Sequence, residues 1–522
     1  MSIVRRFLFS VGANVARAGI SMAVGLLVAR GLGPADYGNL AYLLGSFWAI
    51  RALLDMGASS AFYTFIAQRH RGRAYYIIYF GWLTLQFAVT VALVAVILPQ
   101  SAVDNFWLGH GRWIILLAFL ATFLQNQVWQ TIVQMHEAIR LTVRIQIAGL
   151  AVITAHLVLV TLMFYQGWLG IDTVLGAIVA EYLVAAIWLS ATLQQAARMP
   201  DHSTVGQTDM RDTLAAYVEY CRPMLVIAVF TFLYEMTDRW LLQRFGGASQ
   251  QGFYQVASQL STISLLATTS VMNILWKEVA EANERHDHAR VGVLYQKTTR
   301  VLVLVASFVA CFLAPWSEAL VAVLLGESYS PGWPVLFLML FYPIHQTMGQ
   351  INSTIFMSAG LTGTYMKITV SGLLASIPAS CLLLAPASDT WLSGLGLGAL
   401  GLAIKMIGMN ILFVNIQSWI ISGHYKINFD WRSQILAPTT LLLLAFAAHL
   451  LPQCFVTAAS EGAAGIDKLV IIKEMLFAAI IYSCGVLAVM LWRPAMMGLD
   501  RLTVYTLYAR IRAMFASQVP QK

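Results

Sequence analysis

Four basic residues interrupt long apolar stretches of this chain: Arg17, Arg51, Arg239 and Lys405. A cation at the bilayer centre costs roughly 2.5–3.5 kcal/mol on insertion scales, so such groups face polar cavities or partners rather than lipid. Arginine suits anion binding because its planar fork presents several N–H donors and keeps its charge. Asn14 lies one turn before Arg17 on the same helical face, so the two can take hold of one anionic group. Arg51 has Asp55 four residues on, and Arg239 has Glu235 four residues before it. Each of these pairs can neutralise itself along one helix face, as a structural bridge or as a bridge that opens. Asp238 stands about 100° round the helix from the second pair. It reads as a proton or sodium site, or as the salt-bridge partner of Arg17 or Lys405. Asp55 is the other carboxylate able to couple an ion to movement, by releasing Arg51. Glu181 reads as an interhelical hydrogen-bond partner, with ion coupling as the alternative. Lys405 either faces a cavity or snorkels to the membrane surface.

A second group of residues carries amides. Gln125, Asn126, Gln127, Gln130 and Gln134 form a stripe in one apolar stretch, and His345, Gln346, Gln350 and Asn352 form one in another. Amides inside membrane helices either join helices or line a polar path. A wall that contacts a polar cargo, built from Gln127, Gln130, Gln350 and Asn352 above all, is one reading; helix-to-helix bonding is the other. Trp48, Trp129, Tyr234 and Tyr342 could stack on the ring faces of a cargo, although most of the 15 tryptophans fit interface belts or packing. The five cysteines are scattered and lack metal-ligand spacing. No Walker A motif, zinc spacing or nucleophile elbow occurs, so neither a metal, a cofactor nor an enzyme is expected.

The elements that must position these groups are membrane helices. The chain is 59% hydrophobic and only 11% charged, against roughly 25% charged in soluble domains. A helix needs about 20 apolar residues to cross the hydrocarbon core. Spans are expected near 8–29, 39–62, 75–98, 113–135, 144–166, 169–193, 222–243, 252–276, 301–325, 334–357, 366–386, 396–421, 434–451 and 470–492. The fold class is therefore all-α integral membrane, with about fourteen transmembrane helices. The first span is read as uncleaved, because Asn14 and Arg17 break a secretory-type apolar run. With the N-terminus inside, most of the 32 basic residues fall in links on that side, including Arg69, Arg71, Arg73, Arg140 and Arg144. This positive-inside pattern places both termini in the cytoplasm. The net charge of +8 is thus an insertion signal and a contact for anionic membrane lipids, not a nucleic-acid footprint.

Two stretches repeat. Arg30-Gly-Leu-Gly33-Pro-Ala-Asp-Tyr-Gly38 aligns with Arg244-Phe-Gly-Gly247-Ala-Ser-Gln-Gln-Gly252, the arginine and two glycines in register. Gln130 to Met135 likewise resembles Asn352 to Met357. Together they favour a six-plus-six duplication with parallel repeats. The expected organisation is a six-helix lobe over 1–200, a second over 201–425, two more membrane helices over 426–493, and an amphipathic cytoplasmic tail over 494–522. Two pseudo-symmetric lobes with a site between them is the expected shape.

These same residues carry a family resemblance. Asn14-x-x-Arg17, Ala29 to Gly38, Asp55-Met-Gly57, Pro223, and Asp238 followed by Phe245-Gly-Gly and Gly252-Phe-Tyr-Gln-Val-Ala257 resemble the polysaccharide-transporter branch of the multidrug/oligosaccharidyl-lipid/polysaccharide (MOP) exporter superfamily. That resemblance implies a Wzx-like flippase in the bacterial inner membrane. It would move polyprenyl-diphosphate-linked oligosaccharide (undecaprenyl repeat units for O-antigen, capsule or exopolysaccharide) by alternating access. H+ or Na+ and a polysaccharide polymerase complex are further partners it suggests. Spans thirteen and fourteen would make a groove for the polyprenyl tail, by resemblance to the lipid II flippase. Three alternatives stay open: a lipid II-type flippase, a MATE-like cation or drug antiporter, and a non-transport scaffold of a polysaccharide assembly complex.

Overall fold

A computed structural model describes residues 3–68, 72–197, 210–388, 393–456 and 468–497. Among these residues there is no strand, and helices are joined by short turns. The fold is all-α, as its near-continuous apolar stretches require: in lipid a helix satisfies every backbone group within itself. By compactness the chain divides into Met1–Val256 with Leu373–Leu402, and Ala257–Gly372 with Ala403–Lys522. This division follows contacts rather than repeats, since it passes through three helices. The expected boundary near residue 200 and most of the expected tail lie outside the described residues.

The first unit opens with α1 (Ile3–Asp55), which bends where Gly33 takes a positive φ of 75° ahead of Pro34. It then holds α2 (Ala58–Gln68), α3 (Arg73–Ala92), α4 (Gln100–Phe106), α5 (Arg112–Phe123) and α6 (Trp129–Ala138). Next come α7 (Thr142–Gln166), α8 (Ile171–Ala197), α9 (Met210–Leu241) and most of α10 (Ala248–Ser261). The second unit contains α11 (Leu266–Glu284), α12 (His288–Leu313), α13 (Ser317–Leu324), α14 (Trp333–Met339) and α15 (Tyr342–Ser358). The helices α16 (Thr362–Leu384) and α17 (Gly398–Tyr425) are shared, and α18 (Trp431–Val456) and α19 (Lys468–Trp492) complete the second unit. One core there joins α11, α12, α15 and α17 through Val279, Val291, Ile351, Ile355 and Ile421. Lipid is as apolar as these side chains, so close packing rather than escape from water holds them.

Nine described helices are long and apolar enough to cross a membrane, and the pair Met210–Arg222 and Met224–Gly246, bent by 49°, would make ten. Unbroken helices therefore do not reach the fourteen spans expected. Part of the shortfall is a merger, since the expected spans 8–29 and 39–62 form the single bent helix Gly12–Asp55. The expected span 113–135 carries a π-turn at Leu124–Val128 within a continuous helical stretch, and 252–276 holds a 3₁₀ turn at Thr262–Leu265. The span 334–357 breaks after Met339, just ahead of Pro343, which has no N–H for the helix ladder. The spans 113–135 and 334–357 carry the amide stripes.

The repeated glycines meet. A Cβ on Gly38 would collide with the carbonyl of Ala248, and a Cβ on Gly252 would collide with the carbonyl of Pro34. Pro34 and Ala248 are equivalent positions of the repeat, as are Gly38 and Gly252. The contact is thus reciprocal, as a two-fold relation between copies of one motif demands. Only glycine permits so close an approach of backbones.

Candidate functional site

A cavity of about 280 Å³ opens in the first unit. Five segments build it: α1 with Tyr37 and Trp48, α5 with Thr122, the Leu124–Val128 π-turn with Gln125 and Asn126, α9 with Arg239, and α10 with Gln255. The π-turn adds a residue to the helix, which turns consecutive amides in different directions; such turns recur at functional sites. Arg239 donates from Nη2 to Glu235 Oε2 at 3.1 Å, the expected i,i+4 pair. Its guanidinium lies against Gly45 of α1, where any Cβ would displace it. Gln125 donates to the Tyr182 hydroxyl at 3.2 Å. A cation balanced by a carboxylate, several amides and an exposed tryptophan together offer what a neutral polyhydroxylated group needs: donors, acceptors and an aromatic face.

Arg17 is seated differently. Its Nη2 donates to Gln146 Oε1 of α7 at 2.5 Å. The same nitrogen would lie 3.0 Å from a Cβ on Gly149. Among the described residues Arg17 forms no ion pair, so a neutral amide holds its charge in place without cancelling it. Glu137 at the end of α6 is close enough to sense that charge; burial pushes its carboxyl above the usual range, while the Tyr63 hydroxyl and Arg17 act against this. Asn14 is exposed on α1 one turn earlier.

The other expected residues fall into distinct settings. Arg51 lies with Cζ 5.4 Å from the Trp48 ring centroid, and among the described residues no ion pair joins it to Asp55. Asp55 instead accepts from the Ser59 N–H at 3.2 Å and the Ser59 hydroxyl at 2.5 Å. The reason is the chain reversal at Met56 (φ 48°) and Gly57 (φ 86°), which ends α1 and leaves the first N–H groups of α2 in need of a cap. Asp238 is buried on α9 and accepts from the Ser380 hydroxyl at 2.5 Å. Lys405 is buried on α17 in the second unit. Gln127 is buried and donates to Gln86 of α3 at 2.9 Å, whereas Gln130 is exposed. Asn352 is fully buried: it accepts from the Tyr295 hydroxyl at 2.9 Å and donates to Val414 O at 3.1 Å and Ser418 Oγ at 3.0 Å. Gln127 and Asn352 thus join helices, while Gln350 is half-buried with an unpartnered Oε1. Glu181 meets His156 across α7 and α8 at 2.8 Å, the interhelical contact expected of it. Among the described residues no group of three or more His, Cys, Asp or Glu side chains could hold a metal ion.

Sequence reasoning did not single out Gly45 or Gln86, and it met Tyr37 and Gln255 only inside the repeat and family motifs. Gln86 and Gln255 carry the signal that marked the other amides, a polar side chain in an apolar run. Gly45 carries none, because its meaning lies in the guanidinium opposite.

Comparison with known proteins places this geometry. None of the curated proteins matches the sequence. Among solved structures, the lipid II flippase MurJ in an inward closed conformation superposes with a TM-score of 0.67 at 12% identity, covering 94% of this chain and 99% of that one. An inward-facing multidrug resistance MATE family transporter of the MOP superfamily gives 0.58 at 14% identity, over 78% of this chain and 96% of that one. A MOP superfamily transporter from Pyrococcus furiosus, described as having a binding pocket of reverse polarity, gives 0.54 at 13% identity, over 81% and 95%. These likenesses establish the fold, that of multi-pass membrane transporters. The family described as "Polysaccharide biosynthesis protein" matches residues 3–273, a stretch that holds the cavity, both repeated glycine motifs and Arg17. The chain belongs to that polysaccharide biosynthesis protein family, within the MOP superfamily fold of MurJ and the MATE transporters.

Proposed function

We propose that this transporter flips polyprenyl-diphosphate-linked oligosaccharide across the bacterial inner membrane by alternating access. The observation that carries the reading is the contrast inside the first unit: a polar cavity whose arginine is bonded to a carboxylate, and a separate arginine bonded only to a neutral amide. Sugars need the former and a diphosphate needs the latter. Arg17 with Asn14 takes the diphosphate, and Lys405 is proposed as a substrate-binding cation within the second unit. Gln125, Asn126 and Gln255 hydrogen-bond the sugars while Trp48 offers a stacking face. Gln130 in the first unit and Gln350 in the second are further amides proposed to contact sugar. The polyprenyl chain stays in lipid throughout.

A driving force is also required. An inside-negative potential favours outward movement of an anion by about 2.3 kcal/mol per charge per 100 mV. Where H+ or Na+ adds to this, Asp238 is the carboxylate proposed to bind it, since Asp55 is committed to capping α2. Lipid analysis of cells lacking this protein tests the reading. Diphosphate-linked oligosaccharide should accumulate on the inner leaflet and be relieved by wild type but not by Arg17→Ala. Normal glycolipid pools with raised drug sensitivity would overturn the reading in favour of a cation exporter.

A further inference from the structure

A chamber of about 20 Å³ lies inside the first unit next to the cavity described above, with Thr122 lining both. Phe47, Phe119 and Phe123 make its apolar wall, and Arg51, Gln86, Thr122 and Gln127 reach into it. Gln86 and Gln127 are 3% and 4% exposed. They bond to each other, Gln127 Nε2 donating to Gln86 Oε1 at 2.9 Å. That bond uses one polar atom of each amide and leaves the other. Gln86 Nε2, Gln127 Oε1 and Arg51 Nε are all buried with no hydrogen-bond partner in the protein. Thr122 donates its hydroxyl proton to Ala118 O at 2.8 Å, so its oxygen is free only to accept.

We propose that this chamber binds a single water molecule that positions Arg51. Size and hydrogen-bonding valence both point to this ligand. A water needs about 10–15 Å³ of such space and two to four polar partners. It accepts two hydrogen bonds and donates two. Here Arg51 Nε–H and Gln86 Nε2–H donate to it, and it donates to Gln127 Oε1 and Thr122 Oγ1. An anion would face the carbonyl oxygen of Gln127, and a metal cation would face the guanidinium of Arg51. Exchanging O and N of both glutamines reverses the bond between them but still leaves one donor and one acceptor, so the ligand class does not depend on that assignment.

The site gives Arg51 what Asp55 does not. With Asp55 bonded to Ser59, the guanidinium is solvated from inside the protein through Nε, and its Cζ stays 5.4 Å from the ring centroid of Trp48 at the wall of the polar cavity. Gln86 and Gln127 are therefore positioning residues. The π-turn divides the labour: Gln125 and Asn126 face the cavity while the next residue, Gln127, faces the chamber. The water site stands by itself; only its consequence for transport rests on the proposed cargo.

The first test is a structure of the full-length protein at a resolution that shows ordered water, from crystals grown with and without bromide. One peak about 2.7–3.2 Å from Arg51 Nε and both amides, with no anomalous signal in bromide, is expected. A bromide peak there, or a dry chamber, overturns the proposal. A second test compares Gln127→Leu with Gln127→Glu at matched amounts of protein in the membrane. Loss of the acceptor should lower transport about tenfold, the equivalent of one orphaned buried polar group. The carboxylate, which can pair with Arg51 directly, should restore it. Leu and Glu variants that behave alike would overturn the positioning role. Wild-type protein that moves no diphosphate-linked oligosaccharide would instead overturn the cargo, leaving the density to decide the water site.

Discussion

Arg17 and Arg239 lie in the same unit, and each rests its guanidinium against a glycine of a neighbouring helix: Gly149 for Arg17 and Gly45 for Arg239. Their partners differ. Glu235 holds Arg239 through a carboxylate, and Gln146 holds Arg17 through a neutral amide. A glycine opposite an arginine therefore marks where the cation is seated, and the partner decides whether its charge is available. A neutralised arginine can shape a polar wall. An arginine fixed by an amide is oriented but still able to attract an anion.

The comparison can be broken at its tightest point first. Gly45→Leu would drive a side chain into the Arg239 guanidinium and should destabilise the protein by about 3 kcal/mol, the upper range for overpacking. Thermal unfolding in detergent would show it as an early transition, and an unchanged midpoint would mean that Arg239 can leave its seat freely. Glu235→Gln turns Arg239 into a second Arg17. The pair is about a quarter exposed, so the loss should be about 1–2 kcal/mol, between surface and buried ion pairs. The same variant should bind diphosphate more tightly than wild type in an equilibrium assay. Asp55→Ala should cost about 1 kcal/mol through the lost cap, while Asp55→Asn, which keeps an acceptor for Ser59, should cost little. Transport that collapses in Asp55→Asn at unchanged stability would reinstate Asp55 as an ion carrier. The smallest effect is expected at Gly149. A Cβ there meets Arg17 at 3.0 Å, and the helix propensity gained by alanine, about 1 kcal/mol, offsets that crowding. Denaturant midpoints should barely move for Gly149→Ala, while diphosphate affinity falls as the guanidinium shifts.

What could be read in the sequence follows the range of the forces involved. Apolar stretches announce membrane helices because the bilayer requires them, and Glu235 with Arg239 could be paired because a helix brings i and i+4 together. The reciprocal contact of Gly38 and Gly252 was foreshadowed by their register in the repeat. Gly45 and Gly149 were silent, since a missing side chain has meaning only beside a particular neighbour. Arg51 with Asp55 has the same spacing as Glu235 with Arg239 but does not pair. The break at Met56 and Gly57 turns Asp55 towards Ser59, a competition that spacing alone does not express. The amide stripes were visible as polar residues, but the π-turn at Leu124–Val128, which leaves Gln125 and Asn126 at the cavity and Gln127 at the chamber, was not.

The central claim is that Arg17 supplies an uncancelled cation to a diphosphate. Purified protein in liposomes, given a polyprenyl-diphosphate oligosaccharide labelled on its sugar, tests this through the rate at which label reaches the opposite leaflet. Wild type should flip the lipid, Arg17→Gln should reduce the rate at least tenfold, and Arg17→Lys should retain part of it. Equal rates in wild type and Arg17→Gln would contradict the account.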